Sequence, residues 1–305
     1  MEDFESLGLE VVVMDDNAED FLPQLRASLE ERKVGVMLPN TIMRCNVVLL
    51  AAEMGVPSVW VIHESWPQDQ LDYYAKEVFL RKDVDANMIR RAFATAGRIV
   101  FPSDMQKGLY DGLYRPGAAH TIYNGIPVAQ LNAYRQSQDR DAVRLELGYT
   151  PDDFLVLHLG TVCGRKGQVY TARACAAIQD QIPNLKTLWV GARYIRDHEI
   201  AYIDTIKETC LDKGCSFKRF EESDQSDPST TAQFVMMDIQ SEVLRFYMAA
   251  DVVVVPSLNE VLPLVICEAM AFGRPVICSK IDGIPEAVTD GVEGFLVPPG
   301  NPEFF

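Results

Sequence analysis

Short β-branched runs alternate with amphipathic segments of helical length along the whole chain, the pattern of parallel sheets covered on both faces by helices. In the first part, the runs at 9–14 (LEVVVM), 34–38, 57–62, 98–102 and 119–123 predict strands, and segments near 20–31, 42–54, 70–81, 86–96 and 103–113 predict the helices between them. A turn at NGIP (124–127) and a polar, charged stretch at 132–153 interrupt the alternation. We place a domain boundary in that region, giving an α/β unit at 1–135 and a second at 136–305. The second unit resumes with strands at 154–159, 186–191, 216–220, 233–237, 252–256, 275–279 and 294–298. Helices are expected at 167–181, 198–213, 240–250, 262–272 and near 284–289, with a polar insertion, ESDQSDPSTT, before the strand at 233. Four valines in a row at 252–255 mark a central strand buried on both faces.

Composition narrows the function classes. A formal charge of −16 and a pI near 4.7 argue against a nucleic-acid or anionic-membrane surface, which needs a basic face. Any bound anion must be held by a few local cations. The seven cysteines form no Cys-x-x-Cys pair and mostly sit in apolar segments, as packed thiols of a cytoplasmic protein do. No apolar run approaches the roughly 18 residues of a membrane span, and the acidic opening MEDFESLGLE is not a targeting peptide.

Candidate chemistry lies at strand-to-helix junctions, where helix N-termini expose free N–H groups. In GTVCGRKGQ (160–168), Gly160, Gly164 and Gly167 bracket Arg165 and Lys166. This suits close backbone approach to an anion; a solvated basic turn is the competing reading. Arg165 and Gly167 stand where a triphosphate P-loop needs glycine and a hydroxyl residue. In NEVLPLVICEAMAFGRP (259–275), Pro263 opens a helix and Gly273 closes it. Its apolar residues predict burial nearly all round, which leaves Glu268 in need of a partner: ligand hydroxyls, or an Arg or Lys from elsewhere. Glu260 precedes that helix, either as a ligand contact or as an exposed acid favoured by the helix dipole. His63 follows an apolar strand at a ligand edge and is equally open to a structural role. Asp83-Val84-Asp85 has the form of a short metal motif, but chance in an acidic chain accounts for it better. No cluster has zinc spacing, so no metal or other cofactor is expected.

Taken together, Glu260 and Glu268 as a Glu-x7-Glu pair after a valine strand ending in Pro-Ser, the GTVCGRKGQ loop, IYNGIP (122–127) and GIPEAVTDGVEGFLVPPGNPE (283–303) resemble the retaining glycosyltransferases of family four. The resemblance implies the GT-B fold: two Rossmann-like, doubly wound α/β domains facing across a cleft, with an acceptor met by the first and a nucleotide-sugar donor held by the second. It implies that Lys166 binds the donor diphosphate, with Arg165, Gly164 and Thr161 in the same loop. Glu268 would bind the ribose hydroxyls and Glu260 the transferred sugar, the backbone after it at Leu262 and Leu264 lying near the sugar or diphosphate. His63 would stand beside the reacting sugar. The resemblance implies transfer with retention of configuration, and no metal is needed, because fixed cations and helix N–H groups can stabilise a departing diphosphate.

Two positions depart from the family pattern. Thr161 stands where many members have an arginine, and Pro263 where a glycine is usual, removing one N–H donor. The resemblance also implies that the first strand and the closing helices of the fold lie outside this chain, so that residues 1–305 alone are expected to be catalytically impaired. A noncatalytic nucleotide-sugar-binding protein and a nucleotide-sugar epimerase are the alternatives to transfer.

Overall fold

The computed structural model describes residues 8, 10–193, 195–220 and 232–305. Its contacts group 1–102 with 106–122 as one compact unit, and 103–105 with 123–305 as another.

The first unit is built on a parallel sheet of β1 (Val59–Val61), β2 (Arg98–Phe101) and β3 (Ala119–Thr121), in the order β1-β2-β3. Helices α1 (Phe21–Glu31), α2 (Cys45–Glu53), α3 (Leu71–Tyr73, continued by a π-helical turn at Tyr74–Val78) and α4 (Ala86–Thr95) surround it, and α5 (Asp104–Leu109) follows β2. Trp60, Phe93, Phe101 and Tyr110 fill the core, with Phe93 4.9 Å from both Trp60 and Tyr110 between ring centroids.

Two of the five strands expected here differ. Residues 10–14 form no strand, and Val12 and Val13 stand exposed. Residues 34–38 contribute only a bridge, Met37 to Ser58. Beyond it the chain still runs beside β1, since Thr41 N–H donates to Val61 O and Val61 N–H to Pro39 O. Pro39 has no N–H of its own, which breaks the ladder to β1 at that residue, and Val36 and Leu38 are exposed, so this edge lacks the two-sided burial of a full strand.

The second unit carries a seven-stranded parallel sheet in the order β10-β9-β8-β4-β5-β7-β6. Its strands are β4 (Phe154–Leu159), β5 (Leu185–Ala192), β6 (Phe217–Phe220), β7 (Phe234–Asp238), β8 (Val252–Val255), β9 (Val276–Ser279) and β10 (Gly294–Val297). Every strand pair is parallel. β8 lies between β9 and β4, and its valines alternate between the two cores: Val253 and Val255 pack in one, Val252 and Val254 in the other. The valine run is thus buried on both faces, as expected. The polar insertion at 222–231 lies outside the described residues.

Helices α6 (Val128–Ser137), α7 (Arg140–Glu146), α8 (Gln168–Ile178), α9 (Asp197–Leu211), α10 (Leu244–Ala249), α11 (Leu264–Ala271) and α12 (Ile284–Ala287) complete this unit. The polar stretch at 132–153 is therefore largely helical. Leu131 and Val143 enter the core, Asp139 caps α7 by accepting Ala142 N–H, and Arg140 and the buried Arg144 both clasp Asp251. Burial of a few residues through such pairs is what a polarity pattern alone conceals.

Candidate active site in the second unit

The sheet order reverses at β4: the chain moves from β4 to β5 on one side, then returns to lay β8, β9 and β10 on the other. In an open parallel sheet this switch point leaves a crevice beyond the carboxyl ends of the diverging strands. Three loops meet there, 160–167 after β4, 256–263 after β8 and 280–283 after β9.

The β4 loop passes through a 3₁₀ turn (Gly164–Lys166) into Gly167, whose φ of 73° is left-handed. A Cβ at Gly167 would lie 2.1 Å from Pro256 O, so only glycine allows the two loops to touch. They are then tied together, since Leu258 N–H donates to Arg165 O at 2.8 Å. Gln168, fully buried, donates to Thr161 O and accepts Cys163 N–H, fixing the turn from within. Beneath it, His158 bonds Thr171 through Nδ1; burial, then the charge of Lys166, drives its pKa down to about 3, so the imidazole is neutral.

Glu260 is 8 % exposed. Its Oε1 accepts from Lys166 Nζ, from Arg165 at 3.3 Å and from Ser257 Oγ at 3.2 Å. Burial with two cations excludes the exposed-acid reading, and Arg165, which also donates to Asn259 O, turns toward the site. The backbone N–H of Glu260 donates to Asp282 Oδ2 at 2.7 Å, and Gly283 N–H to Val261 O at 2.9 Å, so the β9 loop clasps this segment from the other side. Asp282 holds a left-handed φ of 47°, and burial followed by the nearby Glu260 charge raises its carboxyl pKa, against the lowering effect of the Glu260 N–H.

Glu268 has a partner of a kind the sequence did not suggest. Tyr247 O–H, from α10, donates to its Oε2 at 2.5 Å. Among the described residues no Arg or Lys pairs with it. The helix around it is also less enclosed than expected: Ile266 and Ala269 are fully buried, but Leu264 at the start is 40 % exposed and Glu268 is half-buried. α11 covers the core with one face only, which leaves a flank open. Leu262 is buried just before it, and the Pro263 N-cap supplies no side-chain cap.

The structure thus brings Thr161, Gly164, Arg165, Lys166, Glu260, Leu262 and Leu264 to the loops at the ends of β4 and β8, with Glu268 one turn into α11. His63 belongs to the first unit, two residues past β1. It is exposed, and its N–H donates to Glu64 Oε2 at 3.2 Å. Tyr110 O–H holds the same segment at Glu64 O. Asp83 pairs with Arg81, and Asp85 caps α4 through Met88 N–H, so both acids of the Asp-Val-Asp stretch have structural roles. Tyr247 and Asp282 escaped the sequence reading, and Ser257 entered it only as part of the Pro-Ser that ends the valine strand. Of the first two, only Asp282, an acid in a loop between strand and glycine, left any signal. Among the described residues, no helix is long and apolar enough to cross a membrane.

The chain is similar to several known proteins. A D-inositol 3-phosphate glycosyltransferase of Streptomyces bingchenggensis is 31 % identical over 176 residues, 58 % of this chain and 36 % of the relative. An uncharacterised glycosyltransferase of Methanocaldococcus jannaschii, MJ1607, is 28 % identical over 182 residues, 60 % of this chain and 41 % of the relative. The chain thus spans well under half the length of either. Anabaena Alr3699/HepE, known in complex with UDP, superposes with a TM-score of 0.73 at 20 % identity, over 99 % of this chain and 76 % of that one. The fold is that of the GT-B glycosyltransferases, α/β with parallel sheets. The family model of the glycosyl transferases group 1 matches residues 139–305, more than half of the sequence, and the chain belongs to that family.

Proposed function

We propose that the protein is a nucleotide-sugar-dependent glycosyltransferase whose second unit binds the donor. The observation that carries this reading is the convergence of Lys166 and Arg165 on Glu260 at the switch point of the seven-stranded sheet. A cation pair at the end of a parallel sheet, with a helix start alongside, suits a diphosphate that gains charge as it departs. A phosphate arriving at Lys166 competes with Glu260 for Nζ, and Glu260 is thereby released toward the sugar hydroxyls. Glu268 takes the ribose, while the backbone at Gly164, Thr161, Leu262 and Leu264 lines the diphosphate and sugar. Retention of configuration, catalysis without a metal and a reducing, cytoplasmic setting complete the reading; the last draws on seven cysteines that are all free thiols. His63 serves as the acceptor-side residue of the first unit. HepE is known with UDP-glucose, which makes UDP-sugars the first donors to test.

Calorimetry with UDP, GDP and ADP, followed by donor consumption with and without acceptors, tests this. Glu260→Gln is expected to retain or tighten nucleotide binding, because Lys166 is freed, while transfer falls by about a hundredfold or more. Glu268→Ala should weaken nucleotide binding more than Glu260→Ala does, and His63→Ala should lower transfer with nucleotide binding unchanged. Equal losses from the two glutamates would count against the ribose assignment. Nucleotide binding without turnover, whatever the acceptor, would favour a noncatalytic sugar-nucleotide binder, a reading to which Thr161 in place of a cation lends weight.

A further inference from the structure

Glu260 and Glu268 are eight residues apart and are treated differently by the fold. Glu260 is neutralised by two cations and a hydroxyl. Among the described residues, Glu268 meets one donor, a neutral one, the phenol of Tyr247. A carboxylate with no cation keeps its full acceptor strength, and one O–H bond to Oε2 occupies only one of its roughly four lone-pair sites. Such a group suits neutral donors in a fixed arrangement, and two adjacent sugar hydroxyls are donors of that kind.

The fixed arrangement is supplied by the surroundings of Tyr247, which is fully buried. Its ring stacks on Phe272, centroids 5.7 Å apart at 23°. Its carbonyl accepts from Arg274 Nε at 3.1 Å, and the same guanidinium reaches Met248 O through Nη2 at 3.1 Å. Phe272 and Arg274 both follow α11, the helix that carries Glu268. The segment after Glu268 thus grips the tyrosine from ring and backbone, and the tyrosine grips Glu268 in return. Burial, then the Glu268 charge, raises the pKa of the phenol, so it donates throughout the working range of pH.

We infer that Tyr247 is a positioning residue for the donor ribose: its hydroxyl locks Glu268 Oε2 and so aims Oε1 at the vicinal ribose hydroxyls. This rests on the donor-binding reading above. It goes beyond that reading by assigning ribose recognition to a pair whose second member does not touch the ligand.

The test uses the 305-residue chain, whichever of UDP, GDP and ADP binds it most tightly, and the 2′,3′-dideoxy form of that nucleotide. Wild type should prefer the ribonucleotide by about tenfold or more, the strength of hydrogen bonds to a charged acceptor. Tyr247→Phe keeps the ring and removes the hydroxyl; it should cut that preference by about threefold or more, with dideoxy binding changed by less than about twofold. Phe272→Leu, which loosens the stack and leaves the hydroxyl, should reduce the preference in the same direction and guards against a Tyr247 variant that fails to fold. Equal weakening of both nucleotides, or an unchanged preference in the variants, would overturn the role of Tyr247 and leave the donor reading intact. No preference in wild type would overturn the ribose assignment of Glu268 and the role of Tyr247 with it, and no binding of any of the three nucleotides would overturn the donor reading itself.

Discussion

At the level of single residues, the site depends on groups whose importance lies in a backbone contact. Asp282 adopts a left-handed conformation that costs a non-glycine residue about 1 kcal/mol, and its carboxylate fixes the Glu260 N–H. Asp282→Gly should therefore leave urea-melt stability within about 1 kcal/mol of wild type, while transfer falls because Glu260 loses its tether. Asp282→Asn, which keeps an acceptor oxygen, should retain most activity; full activity in the glycine variant would show that the tether is idle. Lys166, Glu260 and Glu268 were legible from residue type and spacing. Tyr247 was not, because a tyrosine in an apolar segment is indistinguishable from core packing until its hydroxyl is seen to face an acid.

At the level of elements, α7 is held to the sheet by charge. Arg144, 1 % exposed, donates to Asp251 Oδ2, to Ala249 O and to Asp153 O, while Asp251 also takes Leu155 N–H at the start of β4. Breaking a buried pair of this kind by removing one partner costs about 3 to 5 kcal/mol, so Arg144→Ala should lower the urea midpoint sharply. Burial raises the Asp251 pKa, but the Leu155 N–H and the two arginines together outweigh it and hold the carboxyl below its usual value. Its contribution to stability is therefore complete above the unfolded pKa of about 4 and is lost as pH falls through the lower folded value. Asp251→Asn should flatten that acid limb in urea melts from pH 6 to pH 2; an unchanged profile would remove Asp251 from the account. Where the alternation of strands and helices was regular the elements lie where the pattern put them, and two of the misses have identifiable causes. Pro39 spoils one edge strand, and pairs such as Arg144 with Asp251 make a helix of a segment that looked like linker.

At the level of the whole molecule, the first unit has its own core around Trp60, Phe93 and Tyr110, distinct from the two cores flanking the seven-stranded sheet. Phe93→Ala should destabilise the first unit by about 3 to 5 kcal/mol. Nucleoside-diphosphate affinity should persist in calorimetry if the second unit alone holds the donor, and its loss would refute that division of labour. The sequence by itself determined the class of fold, the central valine strand and the acids and cations of the site, because periodicity, β-branching and residue chemistry are local properties of a chain. Tertiary structure decided which strands adjoin. The placement of β8 beside β4 carries Glu260 to Lys166 across ninety-four residues. It also decided the partner of Glu268, since the Tyr247 hydroxyl meets that carboxylate only when the fold sets α10 beside α11, and no pattern along the chain encodes that distance.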